Sequence, residues 1–203
     1  MAITTATELK AALAAWLDRA DLADYLDDFI VMAEGHFNRN LRHRKMEAIT
    51  DLTPTNGVCT LPTDYLRYRR VVEKASQRRN LSFVAPEYAD QQYASRQTGL
   101  ACDFSIIGSS LYTFPLAQND IELTYVQKIP SLTANSTNWL LAESPELYLR
   151  GSQMMALEFI NETASPRFAV VTGFAERQIE DLNSENELAL YAKAPMRAAR
   201  ISP

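Results

Sequence analysis

The sequence predicts an α+β protein. It reads as a bundle of four helices, two N-terminal and two C-terminal, with a small β-sheet or sandwich inserted between the pairs and an extended C-terminal tail. Three observations carry this reading. Apolar residues recur at helical spacing over 5–44 and again over 144–182, short apolar runs separated by turn residues fill the middle, and all periodicity ends beyond Tyr191. The boundaries that follow are 1–45 and 137–190 for the helical bundle domain, 46–136 for the β-rich insert and 191–203 for the arm.

The stretch 144–161 is the predicted centre. Ser144 is placed to cap the first turn, Pro145 tolerates the first helical position and Glu146 suits its positive end. Leu147, Tyr148, Leu149, Met154, Met155, Ala156, Leu157, Phe159 and Ile160 then surround most of the circumference. A helix apolar on most sides is a buried one. No apolar run approaches the ~20 residues of a membrane span, so its cover must be protein.

The first helix spans 5–17, where Thr5 and Glu8 have capping-box spacing and Leu9, Leu13, Trp16 and Leu17 share a face. A second is predicted over 22–44, with Leu22, Tyr25, Leu26, Phe29, Ile30, Ala33, Phe37 and Leu41 in one stripe. Its acids, Asp24, Asp27, Asp28 and Glu34, lie early, and its cations, Arg39, Arg42, His43, Arg44 and Lys45, lie late. The helix dipole accounts for that order.

From Met46 the period shortens. Ala48, Ile49 and Leu52, the Asn56-Gly57 turn and the run 58–61 predict a hairpin, because Asn-Gly supplies the positive φ angles of a tight turn. Extended structure is expected over 68–74 and at Leu81, Phe83 and Val84, and a helix from Pro86 to Tyr93. A second hairpin is expected over 104–114, then a half-buried strand over 121–126, giving five or six strands. Trp139 to Ala142 reads as a short helical turn. Ser165, Pro166 and the run 168–182 give the fourth helix, with Phe168, Val171, Ala175, Ile179 and Leu182 on one stripe. The tail from Lys193 onward is basic, carries two prolines and has no amphipathic face.

A chain of 203 residues buries a full core without staples. Cys59 and Cys102 are isolated in sequence and read as small buried hydrophobes in a reducing compartment. The N-terminal ten residues lack a charged leader with an apolar core, so no secretion is expected. A net charge of -5 opposes DNA coating by the whole surface.

The residues offer no enzyme. There is no nucleophile elbow, phosphate loop, dinucleotide fingerprint or zinc-helix motif, and His36 and His43 are seven residues apart, which excludes an i, i+4 metal pair. Asp24, Asp27 and Asp28 sit where a helix start favours acids anyway, so neither a metal nor a cofactor is expected there. Basic clusters at Arg39, Arg42, Arg44 and Lys45, at 67–70 and at Arg78 and Arg79 leave two roles open, contact with another subunit or contact with phosphate. The tail is the chain's most partner-like feature.

Several phrases, in this order, resemble the head-to-tail adaptor (connector) proteins of tailed bacteriophages, including the phage adaptor or tail tubular protein A group. They are the opening 5–10 through Trp16-Leu17-Asp18-Arg19, then Leu61-Pro62-Thr63-Asp64-Tyr65-Leu66-Arg67, then Ile121-Glu122-Leu123-Thr124-Tyr125 with Lys128-Ile129-Pro130-Ser131-Leu132. Asn138-Trp139-Leu140-Leu141 leading into Pro145-Glu146-Leu147-Tyr148-Leu149 completes the set. The resemblance implies a structural virion protein, not an enzyme: a homo-oligomeric ring of about twelve copies that joins the portal to the tail nozzle or tube. Double-stranded DNA would pass through its lumen without specific binding. It implies a location in the virion neck and, during assembly, in the host cytoplasm, with no membrane partner. The portal-binding arm corresponds by position to Lys193, Pro195, Met196, Arg197, Arg200 and Ile201. The alternative is a nucleic-acid-binding protein using the patch from Arg39 to Lys45, and a third reading is a small enzyme with an acidic site.

Overall fold

In the computed structural model the backbone is described over residues 3–191 and the side chains over 3–185. The chain divides into two compact units, Met1–Arg44 with Ile129–Pro203, and Lys45–Lys128. Among the described residues the architecture is α+β, with six α-helices and two four-stranded sheets.

The first unit is helical and holds α1 (Ala6–Leu17), α2 (Leu26–Asn40), α4 (Trp139–Glu143), α5 (Pro145–Phe159) and α6 (Pro166–Tyr191). It thus has five helices where four were expected, because the turn at 139–142 is a helix in its own right. Its N-cap is Asn138, whose side-chain oxygen accepts from the Leu141 amide at 2.8 Å. The capping box of α1 forms as its spacing predicts: the Glu8 amide donates to Thr5 Oγ1, and the Glu8 carboxylate receives the Thr5 amide at 3.1 Å. Asp18, at φ 52, ends the helix in the left-handed region.

The helix expected over 22–44 is shorter at both ends. Ala20–Tyr25 forms a 3-10 turn, and α2 stops at Asn40 with Leu41 extended. The stop has a partner far along the chain: Asn183 of α6 accepts the Arg42 amide at 2.6 Å and donates to the Asn40 carbonyl at 3.1 Å. Two backbone groups at the helix end are satisfied from outside, which closes the ladder there.

Helix α5 is central, packing on α6, α2, α1 and α4. Its Ser144 makes no side-chain cap; the Ser144 carbonyl accepts from Leu147 instead. Ser165 does cap, accepting the Phe168 amide at 3.1 Å. Polar side chains of α2 fasten the chain where it re-enters the helical unit. Asn38 accepts the Ile129 amide at 2.9 Å, and Glu34, one turn earlier, accepts from Leu132 N at 2.8 Å and Ser131 Oγ at 2.6 Å.

The second unit is a sandwich of two sheets. One comprises β1 (Glu47–Leu52), β8 (Ile121–Gln127), β3 (Tyr65–Lys74) and β4 (Arg78–Asn80), in that order and antiparallel throughout. The other comprises β2 (Val58–Thr60), β7 (Ser110–Phe114), β6 (Asp103–Ile107) and β5 (Ser82–Phe83). There β5 runs parallel to β6, the crossover being made by α3 (Pro86–Gln92). One apolar cluster draws on both sheets: Leu52, Cys59, Val71, Phe104, Leu111 and Leu123. Cys59 is buried in it, and burial pushes its thiol up to about 11. Cys102, expected inside, is exposed, with Arg79 Nη1 3.2 Å from its sulfur.

Two strand expectations change. The Asn56-Gly57 turn forms, both residues at positive φ, with Thr55 and Val58 bonded across it. Its arms, however, belong to different sheets: β1 pairs with β8 and β2 with β7. Pro54 has no N–H to continue a ladder, so the chain changes sheet there. The strand over 121–126 is buried on both faces and not one, because β8 is the inner strand between β1 and β3.

Gly57 is also enclosed. A Cβ there would lie 2.7 Å from Leu116 Cδ2 and 2.8 Å from Leu116 Cα, whereas one at Gly108, also at positive φ, would meet nothing within 4 Å. Gly57→Ala is therefore expected to cost about 2–3 kcal/mol and Gly108→Ala about 1 kcal/mol, compared by urea denaturation. Equal costs would show that backbone conformation alone matters at Gly57.

Candidate functional site

The basic cluster following α2 is partly consumed in structure. Arg42 folds its guanidinium back onto the Arg39 and Leu41 carbonyls at 2.9 and 3.2 Å, covering acceptors that the helix leaves open. Arg39 lies in the last turn of α2, and Arg44 and Lys45 lie in the 3-10 turn Arg44–Met46. Burial, aided by the Arg39 charge, lowers the pKa of His36, so its neutral form is favoured. His43 lies beyond the end of α2 and stacks on Trp139 with ring centroids 5.1 Å apart.

On the β unit Arg69, Arg70 and Arg78 of the other two clusters are tied to carboxylates. Glu122 receives Arg70 at 3.2 Å and Arg78 at closer range, with Lys74 at 4.0 Å. Arg69 pairs with Glu47 and Lys74 with Asp51, each at 2.7 Å. The cations of β3 and β4 thus brace strands against each other.

Of the acidic cluster, Asp27 pairs with Lys10 at 2.6 Å, while Asp24 and Asp28 are exposed. Among the described residues, no three His, Cys, Asp or Glu side chains are grouped to hold a metal ion. No described helix is long and apolar enough to cross a membrane.

The helical unit also carries a groove that no sequence motif marks. A groove of about 950 Å³ runs between α1, α5 and α6, floored by Ala12, Ala15, Leu149 and Phe174. A smaller hollow of about 330 Å³ continues from it past Trp16 to Val170 and Arg167. Arg150 separates the two, its guanidinium 4.4 Å above the Trp16 ring and 5.4 Å from that of Phe174. Arg167 donates to the Trp16 carbonyl. The helical spacing puts Trp16 on the core face of α1, yet it is 45 % exposed, because Ala6, Leu9, Leu13 and Leu17 are the residues that α1 buries.

A model of the SU10 adaptor protein family matches residues 4–199, nearly the whole chain. The chain belongs to the SU10 adaptor protein family and is a phage adaptor-type protein, a structural component of the virion neck or tail that works among other head and tail proteins. No curated protein matches it. The arm residues Lys193, Pro195, Met196, Arg197, Arg200 and Ile201 lie outside the described residues, although the family match runs through most of them.

Proposed function

We propose that this adaptor assembles as a ring of about twelve copies between portal and tail nozzle or tube, in the manner of the tail tubular protein A group, and continues the DNA channel. It acts by docking and not by catalysis. The carrying observation is the extent of the family match, which takes in both units and reaches residue 199 in the basic arm. In this reading the monomer is made in the host cytoplasm, and Lys193, Pro195, Met196, Arg197, Arg200 and Ile201 grip the portal. Twelve weak arms add through avidity once a portal ring displays many sites. The net charge of -5 suits a channel wall past which DNA slides without adhering.

Electron microscopy of the purified chain mixed with its portal tests the ring. Deleting residues 191–203 is expected to leave the melting temperature within about 2 °C of the full chain, since a terminal extension carries few core contacts. The same deletion is expected to abolish capture by portal in a pull-down; undiminished capture would refute the arm's role.

A further inference from the structure

We propose that the hollow bounded by Trp16, Arg150, Arg167 and Val170 receives the acidic corner of a second copy, the segment carrying Asp24, Tyr25 and Asp28. This rests on the ring reading above and assigns it a contact.

The argument begins with unmatched charge. In a chain with five more acids than bases, Arg150 and Arg167 have no carboxylate within ion-pair distance among the described residues. The polar partners of Arg150 are a long contact to Gln153 at 3.4 Å and the two aromatic faces; that of Arg167 is a backbone carbonyl. Glu146, one turn before Arg150 on the groove wall, forms no ion pair with it. A guanidinium held over an indole face engages the ring through its charge and leaves N–H donors for a carboxylate, which it can bind in two-pronged fashion. Beside these donors the hollow is apolar, lined by Trp16, Pro166, Val170 and Val171, with Val170 67 % exposed. The occupant that fits is an aromatic or apolar side chain flanked by acids.

The chain carries such a group on its own surface. Tyr25 is 44 % exposed and its ring meets that of Phe159, itself 55 % exposed, at a tilt with centroids 5.3 Å apart. Asp24 and Asp28, four residues apart around Tyr25, are exposed and unpaired among the described residues, whereas Asp21 and Asp27 already have Arg19 and Lys10. The two patches cannot meet within one copy. Arg150 and Phe159 lie nine residues apart on α5, which at about 100° per residue puts them on opposite sides of that helix. One side faces Trp16 of α1 and Phe174 of α6, the other Phe29 and Tyr25. A donor patch and a receptor patch on opposite sides give a head-to-tail contact, the kind that closes into a ring. The basic arm is excluded as the occupant on charge, because Lys193, Arg197 and Arg200 would face Arg150 and Arg167.

Charge exchange tests this with the full chain. Sedimentation is measured over a concentration series for wild type, for R150E/R167E and for D24K/D28K, with circular dichroism to verify that each folds. Each variant alone is expected to self-associate at least about 100-fold more weakly than wild type, in line with like charges placed across a contact. An equimolar mixture is expected to recover association, since glutamates then meet lysines and arginines meet aspartates in alternation. A variant that associates like wild type, or a mixture that recovers nothing, overturns the contact. So does a wild type that stays monomeric near millimolar concentration; the ring itself is judged separately, by microscopy with portal. Two further results would overturn it by assigning another occupant. Self-association lost only on deleting residues 191–203 points to the arm, and salt-dependent DNA retention lost only in R150E/R167E points to phosphate.

Discussion

Glu34→Ala is expected to destabilise the helical unit by about 3–5 kcal/mol, an unusually large effect for one substitution. Glu34 is 5 % exposed and holds three donors: Leu132 N, Ser131 Oγ and, at 3.3 Å, the Tyr148 hydroxyl. Removing the carboxylate leaves the Leu132 amide and the Tyr148 hydroxyl buried without an acceptor, at about 1–3 kcal/mol each, and adds a small cavity. The damage spreads because Tyr148 also receives Asn138 Nδ2 at 2.6 Å, and Asn138 in turn caps α4 and donates to the Pro130 carbonyl at 2.7 Å. Burial raises the pKa of Tyr148, so the phenol stays protonated and keeps donating at all moderate pH. Glu34→Gln, which retains one acceptor oxygen, is expected to cost less than half as much. Thermal unfolding followed at 222 nm compares the variants: at about 2–4 °C per kcal/mol, Glu34→Ala should melt roughly 6–20 °C below wild type. A shift as small as that of Glu34→Gln would mean that water replaces the carboxylate and that the network does not anchor the chain's return from the β unit.

Glu34 also shows where a one-dimensional reading fails. The sequence groups it with Asp24, Asp27 and Asp28 as an acid suiting the helix dipole, yet it lies four residues after Ile30 and seven before Leu41, on the apolar stripe itself. That phase is a legible sign of a buried carboxylate. Its partners at 131, 132 and 148 are not legible, because nothing local ties them to position 34. The same division runs through the fold. Capping boxes, turn glycines and helix stripes act within a few residues, so α1, the central place of α5, the second hairpin and the Asn56-Gly57 turn can be read directly. The assignment of β1 and β2 to separate sheets, the end of α2 at Asn183 and the inner position of β8 depend on partners far along the chain. Interaction surfaces lie further still from sequence. Arg39, Arg42, Arg44 and Lys45 stand out as a run, although Arg42 caps its own helix. Arg150 and Arg167 stand out only once α5 and α6 bring them beside Trp16.

Gly151→Leu is expected to abolish stable packing of α2 on α5, with Gly151→Ala already costing about 2–3 kcal/mol. Gly151 sits mid-helix, where glycine is intrinsically worse than alanine by about 1 kcal/mol, so propensity alone would make the alanine variant more stable. The packing opposes this. A Cβ at Gly151 would stand 2.5 Å from Phe37 Cζ and 2.8 Å from Phe37 Cε1, and Ala33 fills the space beside it. Phe37 cannot retreat, because it is fully buried and its ring meets that of Tyr148 edge-on at 5.3 Å. Steric and propensity terms thus have opposite signs, and the enclosure of Phe37 decides between them. Gly35 and Gly173, whose Cβ positions meet nothing within 4 Å, serve as controls where propensity should act alone and alanine should stabilise by about 0.5–1 kcal/mol. Alanine at 151 raising the melting temperature as it does at 35 would show that α2 and α5 can separate without loss. The close approach would then no longer explain why a helix buried on most sides keeps a glycine at its centre. If the steric term wins, pairing Gly151→Ala with Phe37→Leu should recover part of the loss, since the smaller side chain vacates the clashing volume, and the double mutant should be better than the sum of the two changes.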